Sequence, residues 1–70
     1  MDEFFKVWRR AKKKYRLERL VKINFEEALI RIYFEDKIIV RVDGEYTDRE
    51  ILYTQAAQRL LAWMQHKEQA

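Results

Sequence analysis

The chain has no cysteine, no proline and no serine, and only one glycine and one histidine. Without cysteine there is neither a disulfide framework nor a thiolate zinc site, and a reducing, cytoplasmic setting is the natural expectation. A zinc site built on several imidazoles is excluded too, because His66 stands alone. With no serine or cysteine nucleophile and no glycine-rich loop, nucleophilic hydrolysis and phosphate cradling by a P-loop have no carriers. No apolar run approaches the roughly 18 residues of a membrane span. The first residues are acidic and no uninterrupted apolar stretch follows them, so a secretory leader is not expected. Repeats, linkers and low-complexity tracts are absent as well.

What is present is 70 residues, 49% hydrophobic, with ten aromatic side chains. That length suits one compact domain over residues 1–70. A chain this short buries only about 60% of its unfolded surface, so its stability must come from dense packing or from association with another chain. The apolar content is generous for one small core, which argues for association.

The formal net charge is +3, and it is unevenly distributed. Residues 1–24 carry nine basic groups against three acidic ones, a net +6, while residues 25–70 carry six against nine, a net −3. Such an asymmetry points to an anionic partner for the N-terminal third.

Asp2 is a suitable helix N-cap, and Phe4, Trp8, Ala11 and Tyr15 follow at spacings of four, three and four. This predicts an amphipathic helix over about residues 3–18, with Lys6, Arg9, Arg10, Lys13 and Lys14 off the apolar stripe. From Leu17 the period becomes two, and a strand is expected over about 20–25. Residues 28–34 and 38–42 are dense in β-branched side chains around the polar Glu35-Asp36-Lys37, which reads as a hairpin. A helix capped by Asn24, with Glu27 completing a capping-box pattern, competes for residues 24–33. The β-branched and aromatic run from Ile30 to Phe34 decides for the strand.

Gly44, in Asp43-Gly44-Glu45, suits a turn with positive φ. Thr47-Asp48-Arg49-Glu50 then forms a capping box, with Tyr46 and Ile51 at the positions of a hydrophobic staple. A second helix is expected over about 48–66, apolar along Leu52, Ala56, Leu60 and Trp63. The expected fold is α+β: a helix, an antiparallel hairpin or three-stranded meander, and a helix, with both helices on one sheet face.

Three constellations could carry function. The first is the basic helix, whose Lys6, Arg9, Arg10, Lys13 and Lys14 suit phosphates or an acidic protein surface. Phe4, Phe5 and Trp8 beside these cations also resemble an interfacial membrane helix, a reading that requires those rings to be free of the core. The second is the outer sheet face. With Ile38, Val40 and Val42 inward, alternation turns Leu29, Arg31, Tyr33, Ile39, Arg41 and Asp43 outward. Arg31 and Arg41 beside a tyrosine suit nucleic acid, whereas Leu29, Tyr33 and Ile39 are apolar enough for a homodimer interface.

The third is carboxylate chemistry. Glu35-Asp36-Lys37 has the acid-x-Lys spacing of metal-dependent nucleases, but such a site needs an earlier acid on a neighbouring strand, and Glu26 and Glu27 fall in a turn. No catalytic residue, metal ligand or cofactor is assigned. The expectation is a small non-enzymatic regulator that binds nucleic acid as a homodimer, or else a module or inhibitor that docks on an acidic partner protein.

Overall fold

A computed structural model describes residues 2–24, 27–44 and 49–69. The elements are α1 (Asp2–Lys14), β1 (Leu17–Ile23), β2 (Ala28–Phe34), β3 (Lys37–Gly44) and α2 (Arg49–Gln69). The strands form one antiparallel sheet in the order β1-β2-β3. The expected α+β layout is therefore the observed one, in its three-stranded form. Within the contested stretch, Ala28–Phe34 is strand rather than helix. The Asn24 side chain does accept the Glu27 N–H at 2.9 Å, as an N-cap would. However, the Asn24 N–H donates back to the Glu27 carbonyl at 3.0 Å, and the two bonds close a turn between β1 and β2.

Helix α1 ends at Lys14 instead of residue 18, and β1 begins at Leu17. Tyr15 satisfies both periods. Its N–H makes the last helical bond, to the Ala11 carbonyl, and its ring packs at 5.9 Å from Phe34 and 5.0 Å from Trp63. Phe34 and Trp63 meet at 5.2 Å, so three edge-to-face rings close this end of the core. At the other end Phe4 lies 5.1 Å from Tyr53 and stacks on Trp8 at 6.3 Å. Because Phe4 of α1 meets Tyr53 early in α2, while Lys14 meets Glu68 late in α2, the two helices run parallel, side by side.

The core lies between the helices and one sheet face. It takes Phe4, Val7, Trp8 and Ala11 from α1 and Leu52, Ala56, Leu60 and Met64 from α2, together with Leu17, Ala28, Ile30, Ile32, Val40 and Val42 from the strands. Phe4, Ile30, Ile32, Leu60 and Val40 are fully buried, and each contributes about 1.5–3 kcal/mol by leaving water.

Two turn features depart from expectation. Gly44 has no positive φ; it remains in β3 opposite Ala28. The positive φ values belong instead to Glu35 (51°) and Asp36 (64°), the two residues joining β2 to β3. Two consecutive left-handed residues are what a tight two-residue hairpin requires, because that backbone twist matches the strands. The capping box and staple involve Tyr46, Thr47 and Asp48, which lie outside the described residues. Ile51, the staple's other member, is exposed.

The second departure is a bulge. Ile32 pairs with Val40 but Tyr33 pairs with Ile38, leaving Ile39 as the extra residue of β3. Parity flips there. Ile38 moves to the outer face opposite Tyr33 and is 49% exposed, while Ile39 packs against the core.

Candidate nucleic-acid interface

The basic surface of α1 follows from its helical period. The buried stripe is Phe4, Val7, Trp8 and Ala11. At about 100° per residue, Lys6 falls on the opposite side of the helix from Phe4, and Lys13 returns to nearly the same line as Lys6. Arg9 and Arg10 flank that line. All four side chains are exposed, and among the described residues none of them forms an ion pair. Lys6, Trp8, Arg9, Arg10, Lys12 and Lys13 line an open furrow along this side. Asp2 and Glu3 lie in the first turn and Lys12, Lys13 and Lys14 in the last, so the helix dipole favours both ends.

Lys14 does not belong to this ridge. Its Nζ donates to Glu68 Oε1 at 2.7 Å across the seam between α1 and α2. This hydrogen bond, with the attraction between the charges, raises the Lys14 pKa and lowers that of Glu68. Lys12 also has a local contact, with its Nζ 5.7 Å from the centre of the Trp8 ring.

Arg19 joins the site without any sequence pattern that marks it. It occupies a helix-facing position of β1, opposite Ile32, where a small core would normally take an apolar residue. Its guanidinium lies 5.3 Å from the Phe5 ring centre and 5.0 Å from that of Trp8, so this exposed residue sets its charge against two rings. Phe5 also lies 5.4 Å from Phe4 and 5.8 Å from Tyr53. The α1 aromatics are thus engaged within the fold, and the rings that an interfacial membrane helix would insert are not free. No helix of the described residues is long and apolar enough to cross a membrane.

The outer sheet face forms three rungs. Glu18, Tyr33 and Ile38 make one, Leu20, Arg31 and Arg41 the next, and Lys22, Leu29 and Asp43 the last. Arg31 and Arg41 are directly opposed, an arrangement that costs a few tenths to about 1 kcal/mol for like charges. Arg41 is relieved by Asp43, whose Oδ2 accepts from its Nε at 3.0 Å. Arg31 Nε is buried without a hydrogen-bond partner among the described residues. Of the three expected interface residues, Leu29 is only 8% exposed, Tyr33 is half-buried, and Ile39 faces the core because of the bulge. The apolar groups that are open on β1 and β3 are Leu20 (40%) and Ile38 (49%).

The seven expected nucleic-acid contacts are therefore divided. Lys6, Arg9, Arg10, Lys13 and Lys14 lie on the helical layer, whereas Arg31 and Arg41 lie on the opposite side of the sheet. One rigid anionic surface cannot touch both groups at once.

The carboxylates are also apart. Glu27 closes one end of β2 and Glu35-Asp36 the other, separated by a seven-residue strand of about 23 Å. Among the described residues no group of three or more His, Cys, Asp or Glu could hold a metal ion. His66 is exposed in the last part of α2. No protein family, curated protein sequence or solved structure matches this chain.

Proposed function

We propose that the protein binds nucleic acid through the solvent-facing side of α1, with Lys6, Arg9, Arg10 and Lys13 contacting backbone phosphates. The observation that carries this reading is that four exposed cations, without an ion pair among the described residues, share one ridge opposite the buried stripe. Arg9 and Arg10 each stand three or four residues from both Lys6 and Lys13, so these side chains start about 5–6 Å from one another and the row extends over about 10 Å. Such a row supplies charge to several consecutive phosphates. It offers no amide side chain for adenine, so binding is dominated by the backbone and only weakly selective for sequence. Arg31 and Arg41 belong to a separate surface in this reading.

The test is a binding titration with duplex and single-stranded oligonucleotides. Binding at micromolar protein is expected to fall steeply with salt. The variant Arg9→Glu/Arg10→Glu/Lys13→Glu should lose it while keeping the wild-type circular dichroism spectrum. Absent binding, or binding indifferent to salt, overturns the proposal.

A second reading, docking on an acidic protein, is favoured by one observation: the opposed Arg31 and Arg41 beside exposed Leu20 and Ile38. A carboxylate between the two guanidinium groups would relieve their repulsion. This reading expects a complex that survives high salt and is lost in Arg31→Glu/Arg41→Glu but retained in the α1 variant.

A further inference from the structure

We propose that β1 is a self-association edge, pairing antiparallel with β1 of a second copy in a register centred on Leu20. The two edges of the sheet differ. Along β3, the Arg59 guanidinium donates to the Arg41 carbonyl, and the bulge at Ile39 interrupts the strand. Both devices blunt an edge against further pairing. Along β1, among the described residues, no side chain or loop bonds to the backbone, and the strand pairs only with β2. Seven residues, about 23 Å of strand, thus present the backbone donors and acceptors of one side to solvent.

The order of side chains on β1 selects the partner. In Leu17-Glu18-Arg19-Leu20-Val21-Lys22-Ile23, Glu18 and Lys22 stand symmetrically about Leu20. An antiparallel pair centred on Leu20 sets Glu18 opposite Lys22 of the second copy, and Lys22 opposite its Glu18, on the outer face. Leu20, 40% exposed in one copy, meets its own equivalent between these two ion pairs. On the helix-facing side, half-buried Val21 and Ile23 meet Arg19 and Leu17 of the other copy.

Other registers lack this match. Centring on Glu18 or Lys22 opposes like charges directly, centring on Arg19 sets arginine on arginine, and centring on Val21 leaves Lys22 against Leu20. Charged edge residues ordinarily prevent pairing. Here, of the registers centred on residues 18–22, only the one centred on Leu20 pairs opposite charges.

The pairing is isologous and closes as a dimer with a twofold axis normal to the sheet. It yields a continuous six-stranded sheet with both α1 helices on one face. The inference does not depend on the nucleic-acid reading, and it replaces a face-to-face dimer through Leu29, Tyr33 and Ile39.

Sedimentation across a protein concentration series tests it. The wild type is expected to be dimeric at high concentration. Glu18→Lys and Lys22→Glu should each weaken the dimer about tenfold or more, because each turns two attractive pairs into two repulsive ones. Mixing the two single variants should restore a one-to-one dimer, and Glu18→Lys/Lys22→Glu should dimerise by itself. A wild type that stays monomeric overturns the proposal, as does a dimer that either single variant leaves intact or that mixing fails to restore. Both positions are exposed, and unchanged circular dichroism verifies that the variants fold.

Discussion

Replacing Glu35-Asp36 with Asn-Gly should stabilise the protein by about 1 kcal/mol. Both residues hold a positive φ, 51° and 64°, in the turn that joins β2 to β3. The left-handed conformation costs an ordinary L-residue roughly 1–2 kcal/mol, with Asn and Asp penalised least. Glu35 therefore bears the larger strain. Asparagine relieves it without a large gain in unfolded-state freedom. At position 36 glycine removes the remaining strain but gives back about 0.5–1 kcal/mol of backbone entropy, so most of the gain should come from Glu35→Asn.

For a chain of this length, 1 kcal/mol corresponds to a rise in Tm of about 4–8 °C, readable by thermal and urea denaturation followed by circular dichroism. An unchanged or lower urea midpoint in Glu35→Asn would refute the turn geometry. Gly44→Ala provides the converse control. Since Gly44 lies in β3 without a positive φ, the substitution should be neutral or stabilising by up to about 1 kcal/mol. A clear loss would mean that position 44 needs a left-handed backbone.

The remaining predictions concern the core, the helix seam and the Arg19 contact. Phe4→Ala should cost about 3–5 kcal/mol in denaturant titrations, because its ring is fully buried between α1 and α2. Ile38→Ala should stay within about 0.5 kcal/mol and Ile39→Ala should cost more, so equal costs at the two positions would contradict the bulge. Glu68 should titrate below its ordinary value by NMR, and Lys14→Met should raise it, because the Lys14 hydrogen bond and charge are the main causes of the shift. Because the Glu68 pKa is lowered in the fold, its pairing stabilises above the ordinary carboxylate pKa and is lost as pH falls through the lowered value. The raised Lys14 pKa acts at the other limit: its contribution is complete below 10.5 and is lost as pH rises through the folded value. Arg19→Ala should cost about 0.5–2 kcal/mol through the two ring contacts and change the Trp8 fluorescence.

Much of the fold was legible because its periods are clean. The stripe from Phe4 to Ala11 identifies α1, the alternation from Leu17 marks β1, and the β-branched run in β2 outweighs Asn24 as a helix cap. The boundary at Lys14 was not legible, because Tyr15 is the next member of the helical stripe and also an odd-numbered residue in phase with Leu17. The bulge carries no glycine or other local mark, and it alone exchanges the faces of Ile38 and Ile39. Positive φ was expected at Gly44, the only glycine, but the two-residue connection between β2 and β3 imposes it on Glu35 and Asp36. The α1 ridge could be read from the helical period alone. The opposition of Arg31 and Arg41, and their separation from α1 by the thickness of the sheet, depend on strand register and layer order. No local pattern encodes these. Arg19 was hidden for a related reason, since a cation at a core-facing position makes sense only once Phe5 and Trp8 are known to lie above it.

Whether the ridge of Lys6, Arg9, Arg10 and Lys13 holds phosphates is tested most directly by the slope of log affinity against log salt concentration. With about four phosphate contacts the slope should be about −3.6 for duplex DNA, and Lys13→Gln should make it shallower by about 0.9. A wild-type slope near zero, or one that Lys13→Gln leaves unchanged, would contradict the account.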